Sequence, residues 1–354
     1  MDQFHQLTVC AVRPQTANAK AIRLALPDDL KDEFTFKPGQ YLTVRATLNG
    51  EEVRRSYSIC CTPDEGLEIG IKHQPEGLFS TYAQSLKAGD RIDVMAPKGR
   101  FVADTGGTRD YLLIAAGSGI TPVLSIVKSV LRDEPESTVT LVYANRNFDS
   151  VMFRDDLDAL KDTWLTRLNL LHVLSEEGQD ADILSGRIDA TKVTDMKTRG
   201  LIDPASCDAV YLCGPAPMTK ALRTALTDMG VPLDKIRFEI FTPTPYGQKS
   251  GDYAPAKPKV SGSEVEIILD GARKKLRVDP SQETVLGAAR DAGVDIPYSC
   301  AGGMCCTCRC KVVEGKASMD ENWSLEPWET EVGFILACQA RPETEKLVLD
   351  FDAQ

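Results

Sequence analysis

Five of the eleven cysteines in this 354-residue chain fall between Cys300 and Cys310, and three of those five share a restrictive spacing with one distant partner. Cys300, Cys305, Cys308 and Cys338 read C-x4-C-x2-C followed by a far fourth Cys, the plant-type [2Fe-2S] pattern. Four thiolates can surround a small inorganic core only if residues 300–308 fold as a tight loop and the chain returns Cys338 to it. Ala301, Gly302 and Gly303 supply little bulk, so backbone amides can approach the sulfurs and tune the centre. A structural zinc site is the alternative metal reading, but its usual spacings differ. Clustering in a reducing compartment favours a metal centre over a disulfide framework, and the odd cysteine total agrees. Cys306 and Cys310 read as bystanders packed beside the loop, and Cys10, Cys60, Cys61 and Cys207 as small core residues.

A chain of this length holds two or three domains. From Thr242 to Gly262 it reads TPTPYGQKSGDYAPAKPKVSG, rich in Pro, Gly, Ser and Lys without apolar periodicity, which is a linker texture. Before about Asp104, short alternating segments (Tyr41 to Ala46, Arg55 to Cys60, Leu67 to Ile71, Arg91 to Met95) are separated by PGQ, NGEE, PDEG and KAGD turns. That spacing predicts a small antiparallel β-barrel. From Asp110 the apolar runs YLLIAA, TVTLVYA, LNLLHVL and AVYLCG alternate with helical stretches, the pattern of a parallel sheet with crossover helices. After the linker, EVEIILDGARKKLRVDP reads as a hairpin around Asp270-Gly271 and Thr284 to Gly293 as a helix. The expectation is a multidomain protein: a barrel over 1–104, an α/β nucleotide domain over 105–241, a linker over 242–262, and a small mixed sheet wrapping one helix over 263–354.

Four further segments carry nucleotide chemistry only in combination. Arg55-Ser56-Tyr57-Ser58 lies in a barrel strand, where Arg55 and Tyr57 share a face; one can grip a phosphate while the other lies against a ring system. A plain surface-to-core strand would read the same. Gly77, Phe79 and Ser80 open a short helix whose free amides suit a phosphate, or simply carry an ordinary cap. Gly117-Ser118-Gly119-Ile120-Thr121-Pro122 follows a strand and opens a helix, although Pro122 stands where G-x-G-x-x-G has its third glycine. Cys213-Gly214-Pro215-Ala216-Pro217-Met218 follows another strand, at the edge where ligands bind in open α/β sheets. A buried Cys at a strand end is otherwise packing.

Together, RSYS, GSGITP, CGPAPM and the terminal cysteine module resemble the ferredoxin-NADP reductase superfamily with a C-terminal plant-type ferredoxin domain, over nearly the whole chain. More narrowly, FHQLTV, RRSYSIC, CRCKVVEGKASM, NWSLEP and ACQARP resemble reductase components that serve the ring epoxidation of phenylacetyl-CoA. The resemblance implies a β-grasp fold for the terminal module, and FAD, a [2Fe-2S] cluster and a nicotinamide donor, NADPH ahead of NADH. Its implied acceptor is a multisubunit di-iron oxygenase acting on phenylacetyl-CoA. It also implies that Arg55, Tyr57 and Ser58 contact the flavin and that Ile71, Lys72 and His73, with Gly77 and Ser80, serve its ribityl and diphosphate part. Gly117, Thr121 and Cys213 would serve the nicotinamide nucleotide, with Glu239 and Phe241 near the flavin ring edge. Cys306 occupies a place where related loops carry a small residue.

The expected function is electron transfer from NADPH through FAD and the cluster, with Ser58, Cys213 and Glu239 as the residues nearest the chemistry. Asn145-Arg146 follows the second α/β strand, where a binder of the 2'-hydroxyl places an acid, so Arg146 and Arg154 are candidates for a 2'-phosphate. A reductase for another monooxygenase or a Rieske-type oxygenase shares these motifs, and a redox sensor could hold the same cofactors without turnover. A net charge of −11 opposes nucleic-acid binding. No apolar run reaches the eighteen or so residues of a membrane span, and MDQFHQLTVC lacks a secretory pattern, so a cytoplasmic protein away from membranes is expected.

Overall fold

A computed structural model describes residues 3–241 and 260–353; most of the expected linker, 242–259, lies outside the described residues. Six strands open the chain: β1 (Phe4–Thr16), β2 (Ala19–Ala25), β3 (Tyr41–Leu48), β4 (Glu51–Ser58), β5 (Leu67–Lys72) and β6 (Arg91–Lys98). Their spatial order is β4-β3-β6-β1-β2-β5, with antiparallel pairing. Ile59, directly after β4, bridges Ile69 of β5, which joins the two sheet edges and closes the barrel. Leu7, Val9, Ile22, Val44, Ile69 and Val94 fill its interior, and α1 (Leu78–Ala83) adds Phe79 and Ala83 to the same core.

The next five strands are β7 (Asp110–Ala116), β8 (Thr138–Asn145), β9 (Leu168–Leu174), β10 (Ala209–Gly214) and β11 (Ile236–Ile240), parallel in the order β11-β10-β7-β8-β9. Helices α2 (Ile120–Asp133), α3 (Arg154–Thr163), α4 (Ala190–Thr198) and α5 (Ala216–Asp228) accompany them. Both sheet faces are covered: Leu113, Leu141 and Tyr143 belong to one apolar cluster, Leu112, Val142 and Leu212 to the other. A strand buried on both sides loses its hydrophobic alternation, which explains the unbroken apolar runs of the sequence. Glu134, fully buried after α2, accepts from Gly106 N (2.8 Å), Arg109 (3.0 Å), the Tyr111 hydroxyl (3.1 Å) and Ser137 Oγ (2.5 Å), anchoring the entry to β7. A buried carboxylate is tolerated because each oxygen is satisfied.

The barrel, apart from Arg54–Ser56, and the α/β layer belong to one compact unit. Ser125 Oγ of α2 donates to the Cys61 carbonyl at 2.7 Å, Lys128 pairs with Glu65 at 3.2 Å, Arg132 with Asp64, and the Phe153 amide donates to Gln15 Oε1 at 2.9 Å. Gly70 of β5 makes the approach possible, since a Cβ there would meet Thr121 Cγ2 at 2.5 Å and the Phe153 ring at 3.1 Å.

The second unit contains the C-terminal module. Its strands β12 (Ser263–Leu269), β13 (Ala272–Val278), β14 (Arg309–Glu314), β16 (Phe334–Leu336) and β18 (Lys346–Asp350) form a mixed sheet in the order β13-β12-β18-β14-β16, and β15 (Ala317–Met319) pairs with β17 (Ala340–Pro342). Only β12 and β18 run parallel. Helix α6 (Val285–Asp291) lays Val285, Leu286, Ala288 and Ala289 on the core, and α7 (Pro327–Glu331) precedes β16. The hairpin at Asp270-Gly271 has positive φ at both residues (52° and 72°), the demand of a tight two-residue turn, and Asp352 accepts from both amides at 2.8 Å. Among the described residues no helix is long and apolar enough to cross a membrane.

Candidate functional site

The parallel sheet reverses its strand order between β7 and β10, so the loops leaving these strands stand side by side. Gly117-Ser118-Gly119 leaves β7 as a turn of 3-10 helix running into α2, with Gly117 at φ 54°. The Gly117 carbonyl accepts from the buried Tyr143 hydroxyl at 3.0 Å, and Thr121 Oγ1 donates back to the Ser118 carbonyl at 3.0 Å. Gly119 presses on the end of β10: a Cβ there would lie 2.3 Å from the Cys213 carbonyl oxygen. Gly214 is equally confined, with Met218 Cε 2.7 Å from its missing Cβ. Pro122 is buried in the first turn of α2, and Pro215 caps α5.

Across from these loops lies the end of β4. Ser58, 3% exposed, donates to Glu239 Oε2 of β11 at 3.4 Å, and Glu239 pairs in register with Cys213. Burial, and next the Glu239 charge, push the Cys213 thiol well above the usual range, so it stands as a neutral packing group. Phe241 continues from β11, its amide donating to the Gly214 carbonyl at 2.9 Å. Three chain segments far apart in sequence thus converge at the strand ends.

Arg55 and Ser56 lie in β4, half-buried, with Arg55 donating to the Arg54 carbonyl at 2.7 Å. Tyr57 rests its ring 5.7 Å from that of Phe79. Phe79 and Ile71 are themselves fully buried in the barrel core, so their side chains stand behind the surface, where Phe79 holds Tyr57 in place. His73 Nε2 and Thr81 Oγ1 are 3.1 Å apart, and Ser80 Oγ accepts from the Gln74 amide at 3.0 Å and donates to the Gly77 carbonyl at 3.0 Å. Gly77 has no room for a side chain, its Cβ position being 2.4 Å from Ser80 Oγ. Lys72 ends β5 with Nζ 3.8 Å from the Cβ position of Gly117; burial first, then the charge of Arg146, lower its pKa. Arg146 and Arg154 are exposed beyond β8 and at the start of α3. Gly70, Gln15 and Tyr143 carry no local signal in the sequence, because each acts through a tertiary contact and looks like an ordinary barrel or strand residue.

In the C-terminal unit the four motif cysteines meet two by two. Cys300 and Cys305 interact directly, as do Cys308 and Cys338. The Cys300 thiol donating to Cys305 draws the latter down to about 5, while Cys300 and Cys308 are pushed up, each chiefly by its partner thiol. Backbone amides of Gly302 and Cys305 donate to Cys300 Sγ at 3.4 Å, and Gln339 Nε2 donates to Cys338 Sγ at 3.6 Å. Two thiol pairs with amide donors aimed at sulfur fit a two-iron core. Cys310 is fully buried and its thiol is raised by desolvation; it belongs to the core.

Comparison with known proteins agrees with this geometry. The chain matches the oxidoreductase FAD-binding domain over residues 7–102, the oxidoreductase NAD-binding domain over 113–224 and the 2Fe-2S iron-sulfur cluster binding domain over 267–343. It is 42% identical to a component of the 1,2-phenylacetyl-CoA epoxidase of Escherichia coli K12, covering 100% of this chain and 99% of that protein. It is 36% identical to the ferredoxin reductase component of 3-ketosteroid-9-alpha-monooxygenase of Rhodococcus rhodochrous, over 98% and 96% of the two chains. Phthalate dioxygenase reductase superposes with a TM-score of 0.62 at 24% identity, over 99% and 98% of the chains, and shares the three-part fold. The molecule is thus an oxidoreductase built on FAD, a nicotinamide nucleotide and a [2Fe-2S] cluster. The chain belongs to the ferredoxin-NADP reductase superfamily, in the group that carries a C-terminal plant-type ferredoxin domain.

Proposed function

We propose that this protein is the reductase component of a phenylacetyl-CoA epoxidase, delivering electrons from NADPH to a di-iron oxygenase. The observation that carries the reductase reading is the convergence of Ser58, Glu239, Cys213 and the Gly117 loop within one unit, in a chain that also brings four cysteines together in two pairs. When bound, the FAD accepts a hydride from the reduced nicotinamide and the cluster carries electrons singly, a conversion an oxygen-activating iron centre requires. In this reading residues 1–104 hold FAD, with Arg55 neutralising phosphate, Tyr57 lying against the ring system, and the strand end at Ile71, Lys72 and His73 with Gly77 and Ser80 serving the ribityl and diphosphate part. Residues 105–241 hold the nicotinamide nucleotide, its pyrophosphate over Gly117, Ser118 and Gly119 and its ring beside Thr121, Cys213 and Gly214. Ser58, tied to Glu239, fixes a hydroxyl at the ring edge. No side chain acts as a nucleophile. Cys300, Cys305, Cys308 and Cys338 would hold the cluster by their four thiolates.

The experiment is stepwise anaerobic addition of NADPH while the visible spectrum is recorded. Bleaching of both flavin and cluster bands is expected; a cluster that stays oxidised beside a reduced flavin would overturn the internal path. For the acceptor, the support is the whole-chain likeness to the Escherichia coli epoxidase component. Reduced protein mixed with a purified phenylacetyl-CoA oxygenase should support product formation, and turnover only with a 3-ketosteroid oxygenase would move the chain to that partner.

The donor preference rests on Arg146 and Arg154. Removing a cation that pairs with a 2'-phosphate should raise the KM for NADPH by on the order of ten-fold and leave that for NADH unchanged. Steady-state kinetics of Arg146→Ala and Arg154→Ala read this directly, and an unchanged ratio in both variants would withdraw the assignment.

A further inference from the structure

Cys306 stands inside the cluster loop, between Cys305 and Cys308. Its backbone is left-handed, at φ 57°, a conformation an L-residue adopts only where the surroundings impose it, and its carbonyl accepts from the Arg309 amide at 3.1 Å. Its thiol donates to Ser324 Oγ at 3.0 Å, and Ser324 in turn donates to the Gly303 carbonyl at 3.1 Å. The same carbonyl accepts from the Trp323 amide at 3.2 Å. Gly303 leaves no gap beneath this segment, since a Cβ there would meet the Glu321 carbonyl oxygen at 3.1 Å. The segment around Ser324 therefore lies directly on the loop that carries Cys300 and Cys305, fastened at Gly303 and at Cys306.

We infer that Cys306 is a positioning residue whose thiol, through Ser324, latches a cover over the cluster loop and slows loss of iron. The Ser324 hydroxyl spends its one hydrogen on the Gly303 carbonyl and accepts from the Cys306 thiol. Without the thiol, the Ser324 hydroxyl loses the hydrogen bond that ties it to Cys306 and the cover opens more often, exposing the iron-sulfur core to water and chelators. A serine at 306 can donate in the same direction, whereas alanine keeps the left-handed backbone and loses only the donor. Glycine relieves the backbone and also loses the donor, which separates strain from the latch.

The inference rests on the cluster reading above. Its test is the rate at which the full-length, iron-loaded protein releases iron to a coloured chelator, followed by the fading of the cluster band. Cys306→Ala and Cys306→Gly should each release iron about five-fold faster, the effect of one lost hydrogen bond, and Ser324→Ala, which also loses the bond to Gly303, at least that much faster. The double variant Cys306→Ala/Ser324→Ala should be no faster than Ser324→Ala alone, because the thiol acts through the Ser324 hydroxyl. Cys306→Ser should return to the wild-type rate. Wild-type release rates in both Cys306→Ala and Ser324→Ala would overturn the latch, as would a Cys306→Ala protein that binds no iron while Ser324→Ala loads normally, which would make Cys306 a ligand. A wild-type protein with no iron-sulfur spectrum would instead remove the cluster reading itself.

Discussion

Replacing Cys308 by alanine is expected to abolish the iron-sulfur centre while leaving the flavin half intact. Cys308 is 2% exposed and contacts Cys338, and its backbone carbonyl accepts from the Ala337 amide at 3.0 Å. That backbone bond survives the substitution, so the small sheet should still form, with a void the size of one sulfur. The remaining three thiols cannot complete two irons, each of which needs two protein sulfurs. Iron content should fall from about two per chain to near zero. Transfer to an acceptor served by the cluster should drop on the order of 100-fold or more, beyond the loss that follows disturbing a ligand's support alone. Bleaching of the flavin band by NADPH should proceed as in the wild type, because no residue of the barrel or the α/β layer is altered. Iron analysis and anaerobic spectra measure both halves at once. A variant that retains two irons and the native spectrum would take Cys308 out of the ligand set and pass its place to Cys306 or Cys310.

Gly119→Val should cripple the nicotinamide side and spare the cluster. Gly119 has ordinary helical φ (−61°), so the demand for glycine here comes from space and not from backbone conformation. The atoms a Cβ would strike are the Cys213 carbonyl oxygen at 2.3 Å, its carbon at 2.6 Å and the Gly214 amide at 3.0 Å. All are backbone, and none can swing aside as a side chain would. The end of β10 must move, at a cost of about 1–3 kcal/mol in stability. The same movement displaces Cys213 and Gly214 from the candidate nicotinamide site. A shift near 1 Å there predicts a loss in kcat/KM for the nucleotide of about 100-fold. Flavin content and the cluster spectrum should stay at wild-type values. Normal kinetics in a folded variant would show that the Gly117 loop binds nothing, and the functional site would have to lie elsewhere.

Gly117 and Gly119 illustrate two ways in which one residue type is read. Gly117 at φ 54° is the backbone case, and a sequence reader finds it from the strand-Gly-helix order. Gly119, like Gly70 and Gly77, is a glycine of close approach, and its neighbour is Cys213, 94 positions along the chain. No local window contains that contact.

The cysteine spacing, the hairpin at Asp270-Gly271 and the unbroken apolar strands of the α/β layer were legible in the sequence because each obeys a short-range rule: ligand spacing, turn stereochemistry, two-sided burial. Tyr41 to Ala46 extends to Leu48 and Arg91 to Met95 to Lys98, whereas the segment expected over Arg55 to Cys60 is a strand from Glu51 to Ser58 that takes in half of the NGEE stretch expected as a turn. Side-chain roles were less legible. The side chains of Phe79 and Ile71, in segments named for the flavin, are buried in the barrel core, and the Cys213 thiol is buried at the end of β10, which the sequence did not show. The meeting of Ser58 with Glu239 and the fastening of Cys306 to Ser324 likewise required the folded chain. Sequence by itself determined which elements form and which chemistry the chain carries, since periodicity and ligand spacing act over a few residues. Only the tertiary structure decided which side chains face one another across those elements, because that depends on sheet order and barrel closure, and a bond between residues 58 and 239 has no local signature.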